Sequence, residues 1–435
     1  MVVLCCRLLL WRMAARKFRF RKGPGIVLKN IYLRNPTSGT SGKTLPWSLP
    51  RLLQIEKRMK INRLRVYRLA IPFSLAASHN LAERSESEAS LVIAESDNGF
   101  TGVGEGTPRQ YVTGETLPGC VDAALEMGRQ LTDREWHDIG GLNRLLDHVS
   151  MHSRVQQNPS AWCAVELACL DLFARSRQIP LWQLFADTPV NLSFTYSAVI
   201  PLLNGHGLDT LLTAVKSLDM GFVKVKVSTL REGVKYVGDI REALGPDVDI
   251  RIDANGAFAP DDALEFEQAA DFIGISSFEQ PVAKENLEGF NQVTQQGKIP
   301  TIADESMCNK GEMENFIRKR GCAGFNIRLS KCGGFRESLN LWNHALQNGF
   351  FCQLGCHVGE TGILSAAGRH FAALCSKISH LEGGYAGFVL ESDICNEVVS
   401  FGRRGEAGLP KESGLGVTIN EKALDRWGEL MGELS

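Results

Sequence analysis

Residues 222–331 contain five short apolar runs at regular intervals: FVKVKV (222–227), VDIRIDAN (248–255), GISSFEQ (274–280), PTIADES (300–306) and GFNIRLSK (324–331). Each run carries a charged residue at or near its end. These residues, which are Lys226, Asp253, Glu279, Asp304 and Lys331, follow one another at intervals of 25 to 27 residues. One strand and one crossover helix together take about this length of chain. The repeat therefore predicts βα units with five charged groups at the carboxyl ends of successive parallel strands.

Three further runs bring the number of predicted strands to eight: FTYSAVI (194–200), FFCQLGC (350–356) and ISHLEGG (378–384). Amphipathic stretches such as EGVKYVGDIREAL (232–244) separate the runs and are typical of helices. Eight parallel strands with crossover helices close into a TIM-type barrel, and such barrels build their active site at the carboxyl ends of the strands. We therefore expect the five charged groups to share one face of a barrel.

The chain before the barrel has a different pattern. Three predicted strands, INRLRVYRLAIPF (61–73), ASLVIAES (89–96) and FTGVGEG (100–106), precede predicted helices at about 115–130 and 160–176. The predicted fold class is thus α/β, a modified TIM barrel with an α+β capping domain. We predict the capping domain at residues 59–190, the barrel at 191–385, and a segment 386–435 that returns to the capping domain.

Residues 1–58 hold 13 Lys and Arg but a single acid, Glu56, so the rest of the chain has a net charge of −13. We interpret 1–58 as a basic, disordered extension and expect the folded part to begin at Met59. An acidic body argues against nucleic acid as the main partner, and the apolar run near the amino end is too short to span a membrane. The 12 cysteines form no Cys-x-x-Cys pair, and we interpret them, Cys352 and Cys356 included, as thiols of a cytoplasmic protein.

Three carboxylates on successive strands cannot all stay ionised in a closed pocket without a counter-charge. A divalent cation supplies that charge, and all-oxygen ligands favour Mg²⁺, with Mn²⁺ as an alternative. The residues could instead cap the helices that follow them, but that role would not produce three acids at regular spacing with a lysine on either side. We therefore predict a metal site at Asp253, Glu279 and Asp304.

The flanking lysines fit a role in proton transfer. Lys224 and Lys226 are two residues apart on one predicted strand, so both point into the barrel and Lys224 can depress the pKa of Lys226. Lys331 lies across the ring on the sixth strand. A substrate carboxylate on the metal could lose its α-proton to one lysine and regain it from the other, with an enediolate between the two steps.

In its ordered motifs the chain resembles the enolase superfamily and, within it, the muconate lactonizing enzyme subgroup of the mandelate racemase/muconate lactonizing enzyme family. The matching pieces, spread over about residues 59–430, are Lys224-Val-Lys226, Asp253-Ala-Asn255, Glu279-Gln-Pro281, Ala303-Asp304-Glu305-Ser306 and Lys331-Cys-Gly-Gly334. The resemblance implies a capping domain over a modified barrel and Mg²⁺ on Asp253, Glu279 and Asp304. It also implies Lys226 and Lys331 as the acid/base pair, with assistance from Lys224.

Other residues are expected near the substrate or around the metal ligands. Asn255 and Glu305 belong to the matching motifs, and Glu360 matches an acid that recurs at the end of strand seven in this family. His357 is expected as a substrate contact or a core residue, and Arg109 either meets a second substrate anion or is structural. On strand eight, dipeptide epimerases carry Asp-x-Asp, which holds the substrate ammonium. This chain has His380-Leu-Glu382 there, which puts dipeptide specificity in doubt although Glu382 could bind a cation.

The sequence leaves several reactions open for a small carboxylate substrate. Racemisation or epimerisation of an amino-acid derivative or dipeptide by two lysines comes first. A muconate-type cycloisomerase or a syn-dehydratase similar to o-succinylbenzoate synthase keeps the same lysines. A Schiff-base aldolase would use Lys331 but needs no metal, and a catalytically silent barrel would serve as a binding protein. Barrels of this family are often homo-oligomers, but the sequence identifies no interface.

Overall fold

The computed structural model describes residues 58–79 and 82–435, and the side chains of residues 58–74 and 85–435. The predicted basic extension 1–58 lies outside this range apart from Arg58. The described chain forms three sheets with their helices: a five-stranded antiparallel sheet, an eight-stranded parallel sheet and a two-stranded antiparallel ribbon.

The antiparallel sheet is built on a long hairpin of β1 (Met59–His79) and β2 (Ala82–Ser96), which β3 (Thr101–Gly106) extends. A turn at 97–99, with Gly99 at φ +79°, joins β2 to β3, as Asn98-Gly99 predicts. The hairpin is longer than predicted, because β1 continues past Pro72 after a register shift between Pro72 and Ala77. The short β4 (Glu135–Trp136) pairs with the start of β1.

Three glycines set the distance between β3 and a long helix, Pro159–Ser176. Gly102, Gly104 and Gly106 alternate along the strand and therefore share one face. A Cβ atom on any of them would lie 2.0 to 2.2 Å from a main-chain oxygen of the helix. The Gly-x-Gly-x-Gly pattern thus lets strand and helix backbones approach more closely than any side chain would permit.

The helices of this first region surround the antiparallel sheet. They are α1 Gln110–Thr113, α2 Leu117–Arg129, α3 Ile139–His152 and α4 Pro159–Ser176, with 3₁₀ turns at Val155–Gln157 and Leu181–Leu184. The Thr116 side chain caps α2 by accepting a hydrogen bond from the Gly119 amide. The predicted helices at 115–130 and 160–176 correspond to α2 and α4, whereas α3 was not predicted.

Eight parallel strands form the second sheet in sequential order. They are β6 Ala198–Ile200, β7 Phe222–Lys226, β8 Asp249–Asp253, β9 Ile275–Glu279, β10 Thr301–Ala303, β11 Gly324–Ile327, β12 Phe351–Leu354 and β13 Ile378–Leu381. The Ser197 amide donates to the Leu381 carbonyl at 2.8 Å and so links the first strand to the last. This arrangement confirms the predicted modified barrel.

One predicted strand is divided in two. The run FTYSAVI was expected to be a single barrel strand, but its first part forms β5 (Ser193–Thr195), which pairs antiparallel with β14 (Glu406–Gly408). Only its second part, β6, joins the barrel. The break at Tyr196 and Ser197 turns the chain from a two-stranded ribbon into the barrel wall.

The barrel helices lie between successive strands. They are α5 Gly205–Ser217, α6 Leu230–Leu244, α7 Pro260–Ala269, α8 Leu287–Gln296, α9 Lys310–Lys319, α10 Gly334–Gln347 and α11 Gly362–Leu374, with a 3₁₀ turn at Asp271–Ile273. None of the helices in the described ranges is long and apolar enough to cross a lipid bilayer.

The last segment returns to the first sheet. It contains α12 Ala386–Val389, a 3₁₀ turn Arg403–Gly405, α13 Glu421–Trp427 and β15 Gly428–Leu434. Strand β15 pairs antiparallel with β1, and Val66 lies opposite Gly432. The antiparallel sheet is therefore made from both ends of the described chain.

Buried carboxylates of the first region hold the ends of two barrel helices. Glu105 accepts hydrogen bonds from the amides of Thr361 and Leu364 at the start of α11, at 3.0 and 3.1 Å. Glu166 accepts one from the Phe335 amide at the start of α10, at 2.6 Å. Because acids are stabilised at helix amino termini, these contacts fix the antiparallel region over the carboxyl ends of the barrel strands. We call that end the mouth of the barrel.

Candidate active site

Three carboxylates lie side by side at the mouth. Asp253 and Glu279 end strands β8 and β9 and are directly paired in register, and Asp304 follows the end of β10. All three are completely buried. The Lys224 ammonium lies 3.3 Å from Glu279 and 3.4 Å from Asp253, and the Arg328 guanidinium contacts both Glu279 and Asp304. We call Asp253, Glu279 and Asp304 the carboxylate row.

The row is electrostatically crowded. Burial raises the pKa of Glu279, and the charges of Asp253 and Asp304 raise it further, against the effect of Lys224, to about 7. Burial alone would also raise the pKa of Asp253, but Lys226 and Lys224 outweigh it and lower that pKa. Adjacent like charges in a buried space require cations.

The donor set of the row fits a hard divalent cation. Carboxylate oxygens are the ligands that Mg²⁺ prefers, and three carboxylates lie side by side here in a completely buried position. In the described residues no three His, Cys, Asp or Glu side chains already surround a common metal position. Asp253 contacts Lys226, Glu279 contacts Lys224, and Asp304 contacts Arg328. Asp253, Glu279 and Asp304 are the residues that would hold the ion.

Lys226 occupies one end of the row. Its ammonium donates to Asp253 Oδ2 and to Asn255 Oδ1, both at 2.6 Å. Asn255 in turn donates to Glu305 Oε1 at 2.8 Å, and Glu305 Oε2 is buried without a hydrogen-bond partner. The structure thus brings Asn255 and Glu305 into the surroundings of Lys226.

Lys331 occupies the other end. It was expected on the sixth strand of the barrel, which is β11. That strand stops at Ile327, and Lys331 lies in the turn that follows. The side chain is completely buried, and its ammonium donates to Asp304 Oδ1 at 2.9 Å and to the carbonyls of Asp304 and Asn326. Burial lowers the pKa of Lys331, but the Asp304 charge outweighs it and leaves the pKa raised.

Lys224 lies between the carboxylate row and Glu382, which follows β13, the eighth strand of the barrel. Besides Asp253 and Glu279, its ammonium contacts Glu382 at 2.8 to 2.9 Å. Burial lowers the pKa of Lys224, yet Glu279, Glu382 and Asp253 together raise it well above its usual value. In this environment Lys224 stays a charged ammonium.

His357 and Glu360 follow β12, the seventh strand of the barrel, and lie under the antiparallel region. The His357 ring nitrogen Nδ1 is 2.9 Å from the Thr107 hydroxyl, and the His357 amide donates to Glu360 at 2.7 Å. Burial raises the pKa of Glu360 to about 8, against the effect of that hydrogen bond. The structure therefore brings His357 and Glu360 together beside the mouth.

Arg109 is buried, with 2% of its surface exposed, and its guanidinium faces the main chain. It donates to the carbonyls of Glu88, Pro108 and Val358 at 2.7 to 2.9 Å. These contacts tie hairpin strand β2 to the loop after β12. The contact of Arg109 with a second substrate anion stays a prediction.

Two arginines at the mouth were not predicted. Arg251 lies two residues before Asp253 on β8, and Arg328 directly follows Ile327, the last residue of β11. Because side chains two apart on a strand share a face, Arg251 points into the barrel as Asp253 does. Both arginines are buried, and Arg328 contacts Glu279 and Asp304. The two-residue periodicity that located Lys224 would have found Arg251 as well.

Two family models together match most of the chain. The model described as "Enolase C-terminal domain-like" matches residues 210–423, and the model for the "Mandelate racemase / muconate lactonizing enzyme, N-terminal domain" matches residues 64–186. The chain belongs to this family. The predicted resemblance to the enolase superfamily is thereby confirmed, as is the fold class.

Characterised members of the mandelate racemase/muconate lactonizing enzyme family cover nearly the same length. A hydrophobic dipeptide epimerase from Enterococcus faecalis is 31% identical over 83% of this chain and 100% of the relative. An N-succinyl-L-Arg/Lys racemase from Bacillus cereus is 26% identical over 84% of this chain and 97% of its own length.

A solved structure of the family has the same fold as this chain. The dipeptide epimerase from Enterococcus faecalis complexed with Mg and the dipeptide L-Leu-L-Tyr superposes with a TM-score of 0.74 at 29% identity, covering 82% of this chain and 99% of that one. These epimerases and racemases are isomerases. The comparisons thus group the chain with isomerases of amino acids and dipeptides.

Proposed function

We propose that this protein is a Mg²⁺-dependent isomerase that moves the α-proton of a carboxylate substrate, by racemisation or epimerisation of an amino-acid derivative. One observation carries the proposal. The ammonium groups of Lys226 and Lys331 lie at opposite ends of a row of three buried carboxylates. Two acid/base groups on opposite sides of one substrate position are what inversion of a carbon centre requires.

Asp253, Glu279 and Asp304 would hold the metal ion. When bound, Mg²⁺ supplies Lewis-acid stabilisation for negative charge on a substrate carboxylate. The row lies between the two lysines, so a substrate carboxylate held at the row would place its α-carbon between the two ammonium groups. The metal-bound relative from Enterococcus faecalis supports this assignment.

Each lysine must be neutral to accept a proton and charged to donate one. Asp304 is the main reason that the pKa of Lys331 is raised. If Asp304 served as a metal ligand, its charge would raise the pKa of Lys331 less, and that pKa would lie closer to the range of a working base. Lys224, which contacts three carboxylates, remains a fixed positive charge near the substrate carboxylate.

The proposal is tested by a racemisation screen with Mg²⁺ over N-acylamino acids and dipeptides, read as solvent deuterium uptake at the α-carbon. We expect at least one substrate to exchange from both enantiomers, and Lys226→Ala and Lys331→Ala to lose about 10²- to 10⁴-fold in racemisation rate. Absence of exchange across the whole set would contradict the proposal. It would favour the cycloisomerase or syn-dehydratase reaction, in which one lysine is the base and the other only a cation.

A further inference from the structure

The two lysines proposed as acid and base are held in different ways. Lys226 is the last residue of β7, which pairs with β6 on one side and with β8 on the other, so the barrel itself fixes its main chain. Lys331 lies in a turn, residues 328–333, between the end of β11 and the start of α10. We call this segment the lysine turn. The position of Lys331 therefore depends on the contacts that the turn makes.

Two main-chain hydrogen bonds close the lysine turn. The Cys332 amide donates to the Arg328 carbonyl, and the Gly334 amide donates to the Leu329 carbonyl, both at 2.9 Å. Gly333 and Gly334 have φ values of +79° and +90°, a backbone conformation that glycine adopts without steric cost. These features set the shape of the turn but do not bind it to the rest of the molecule.

The antiparallel region holds the lysine turn at its centre. The Thr107 amide, directly after β3, donates to the Ser330 hydroxyl at 2.8 Å, and Ser330 is completely buried. The end of β3 is itself fixed against α4, because a Cβ atom on Gly106 would lie 2.0 Å from the Ser160 carbonyl oxygen. The residue that directly precedes Lys331 is thus bound to a closely packed strand outside the barrel.

A buried carboxylate of α4 holds the main chain directly after the lysine turn. Glu166 Oε2 accepts from the amides of Phe335 and Arg336 at 2.6 and 3.2 Å, and Glu166 Oε1 accepts from the Arg336 side chain at 2.8 Å. A Cβ atom on Gly334 would lie 2.3 Å from Glu166 Oε2, so the carboxylate packs directly against the main chain. Hydrogen bonds that involve a charged group are stronger than those between neutral groups. The antiparallel region therefore binds the turn through Ser330 and the chain after it through Glu166.

We infer that Ser330 and Glu166 are positioning residues for Lys331, so that the antiparallel region places one acid/base group while the barrel places the other. This inference rests on the proposed function and extends it. Proton transfer depends on the placement of the base, and a displacement of about 1 Å can lower a rate by about 100-fold. Loosening the lysine turn therefore weakens exchange with the enantiomer that Lys331 serves and spares the enantiomer that Lys226 serves.

The first measurement needs no substrate. Ser330→Ala removes the acceptor of the Thr107 amide, and amide hydrogen exchange of peptides that cover residues 328–335 is followed by mass spectrometry. We expect the amides of the lysine turn to exchange at least about tenfold faster than in the wild type, and peptides that cover β7 to be unchanged. Ser338→Ala is the matched control, because Ser338 is equally buried and its hydroxyl has no hydrogen-bond partner. Unchanged protection of the turn in Ser330→Ala would overturn the inference.

The second measurement follows α-proton exchange in deuterated solvent with each enantiomer separately, in enzymes loaded with Mg²⁺. Lys331→Ala identifies the enantiomer that Lys331 serves. With that enantiomer, Ser330→Ala and Glu166→Gln should exchange at least about tenfold more slowly than the wild type, and with the opposite enantiomer the change should stay below about twofold. Ser338→Ala should match the wild type with both. A loss of folded enzyme lowers both rates together, so a change in their ratio distinguishes a positioning role from a purely structural one.

The outcomes separate this inference from the proposed function. An unchanged ratio of the two rates in Ser330→Ala and Glu166→Gln would overturn the inference and leave the proposed function intact. Absence of exchange with both enantiomers of every substrate in the wild type would overturn the proposed function and, with it, this inference. If Ser330→Ala does not fold, Glu166→Gln serves for both measurements, since glutamine keeps the shape of the side chain and removes only its charge.

Discussion

At the scale of single residues, Asp304 connects the carboxylate row to Lys331. Replacing it in Asp304→Asn removes one negative ligand from the proposed metal site, and we expect Mg²⁺ affinity to fall by about 100-fold or more, because ligand charge sets the affinity of oxygen sites. Calorimetric titration with Mg²⁺ measures this directly. Asp262→Asn, an exposed acid in the first turn of α7, is the control. Unchanged Mg²⁺ binding in Asp304→Asn would contradict the metal assignment.

The residues of the row could be predicted because their spacing reports the length of a βα unit. Lys226, Asp253 and Glu279 are indeed the last residues of their strands. The partners of each side chain could not be predicted, because they depend on neighbouring strands that are far apart in sequence. Thus Glu382 contacts Lys224 across 158 residues of chain, and this ion pair could be seen only in the structure.

At the scale of elements, the contact between β3 and α4 makes a sharp prediction. In Gly104→Ala the new Cβ would lie 2.0 Å from the Ala164 carbonyl oxygen, so strand and helix must separate. We expect a loss of about 3 kcal/mol or more in the free energy of unfolding. Gly221→Ala is the matched control, since its Cβ meets nothing within 4 Å. Equal thermal stability of the two variants would show that the strand and helix are not this closely packed.

The Glu105 contact with α11 predicts a pH dependence of stability. Burial raises the pKa of Glu105 from 4.5 to about 7, so between these values the folded state binds more protons than the unfolded state. The free energy of unfolding therefore falls as the pH rises through this window, and Glu105 contributes up to about 3 kcal/mol of the fall.

This contribution is measured by urea unfolding at pH 5 and pH 8. Glu105→Gln cannot titrate, so its free energy of unfolding should fall less between the two pH values than that of the wild type. The exposed Glu126→Gln should behave as the wild type does. An identical fall in Glu105→Gln and the wild type would mean that Glu105 titrates normally in the folded state.

The type of most elements followed from periodicity, but their limits did not. The hairpin extends to His79 because β2 continues to pair with β1 beyond the shift at Pro72, a tertiary effect that local pattern does not carry. Helix α3 was missed because it begins Ile139-Gly140-Gly141, residues that disfavour helices; the Asp138 side chain caps it by accepting from the Gly141 amide at 2.6 Å.

At the scale of the whole molecule, the antiparallel region closes the barrel mouth through contacts that sequence patterns do not reveal. Glu105 contacts Thr361, and Thr107 contacts His357, across about 250 residues of chain. The resemblance to a family with a capping domain predicted the arrangement in outline. The buried acids that hold helices α10 and α11 supply its physical cause.

The central claim is that Lys226 and Lys331 act on opposite faces of one α-carbon. It is tested most directly by following α-proton exchange in deuterated solvent separately for each enantiomer, in Lys226→Ala and Lys331→Ala loaded with Mg²⁺. Each variant should lose exchange with one enantiomer by about 10²-fold or more and keep exchange with the other, and the two variants should differ in which enantiomer is kept. The two-lysine account would be contradicted if both variants lost exchange with the same enantiomer, or if neither substitution altered exchange.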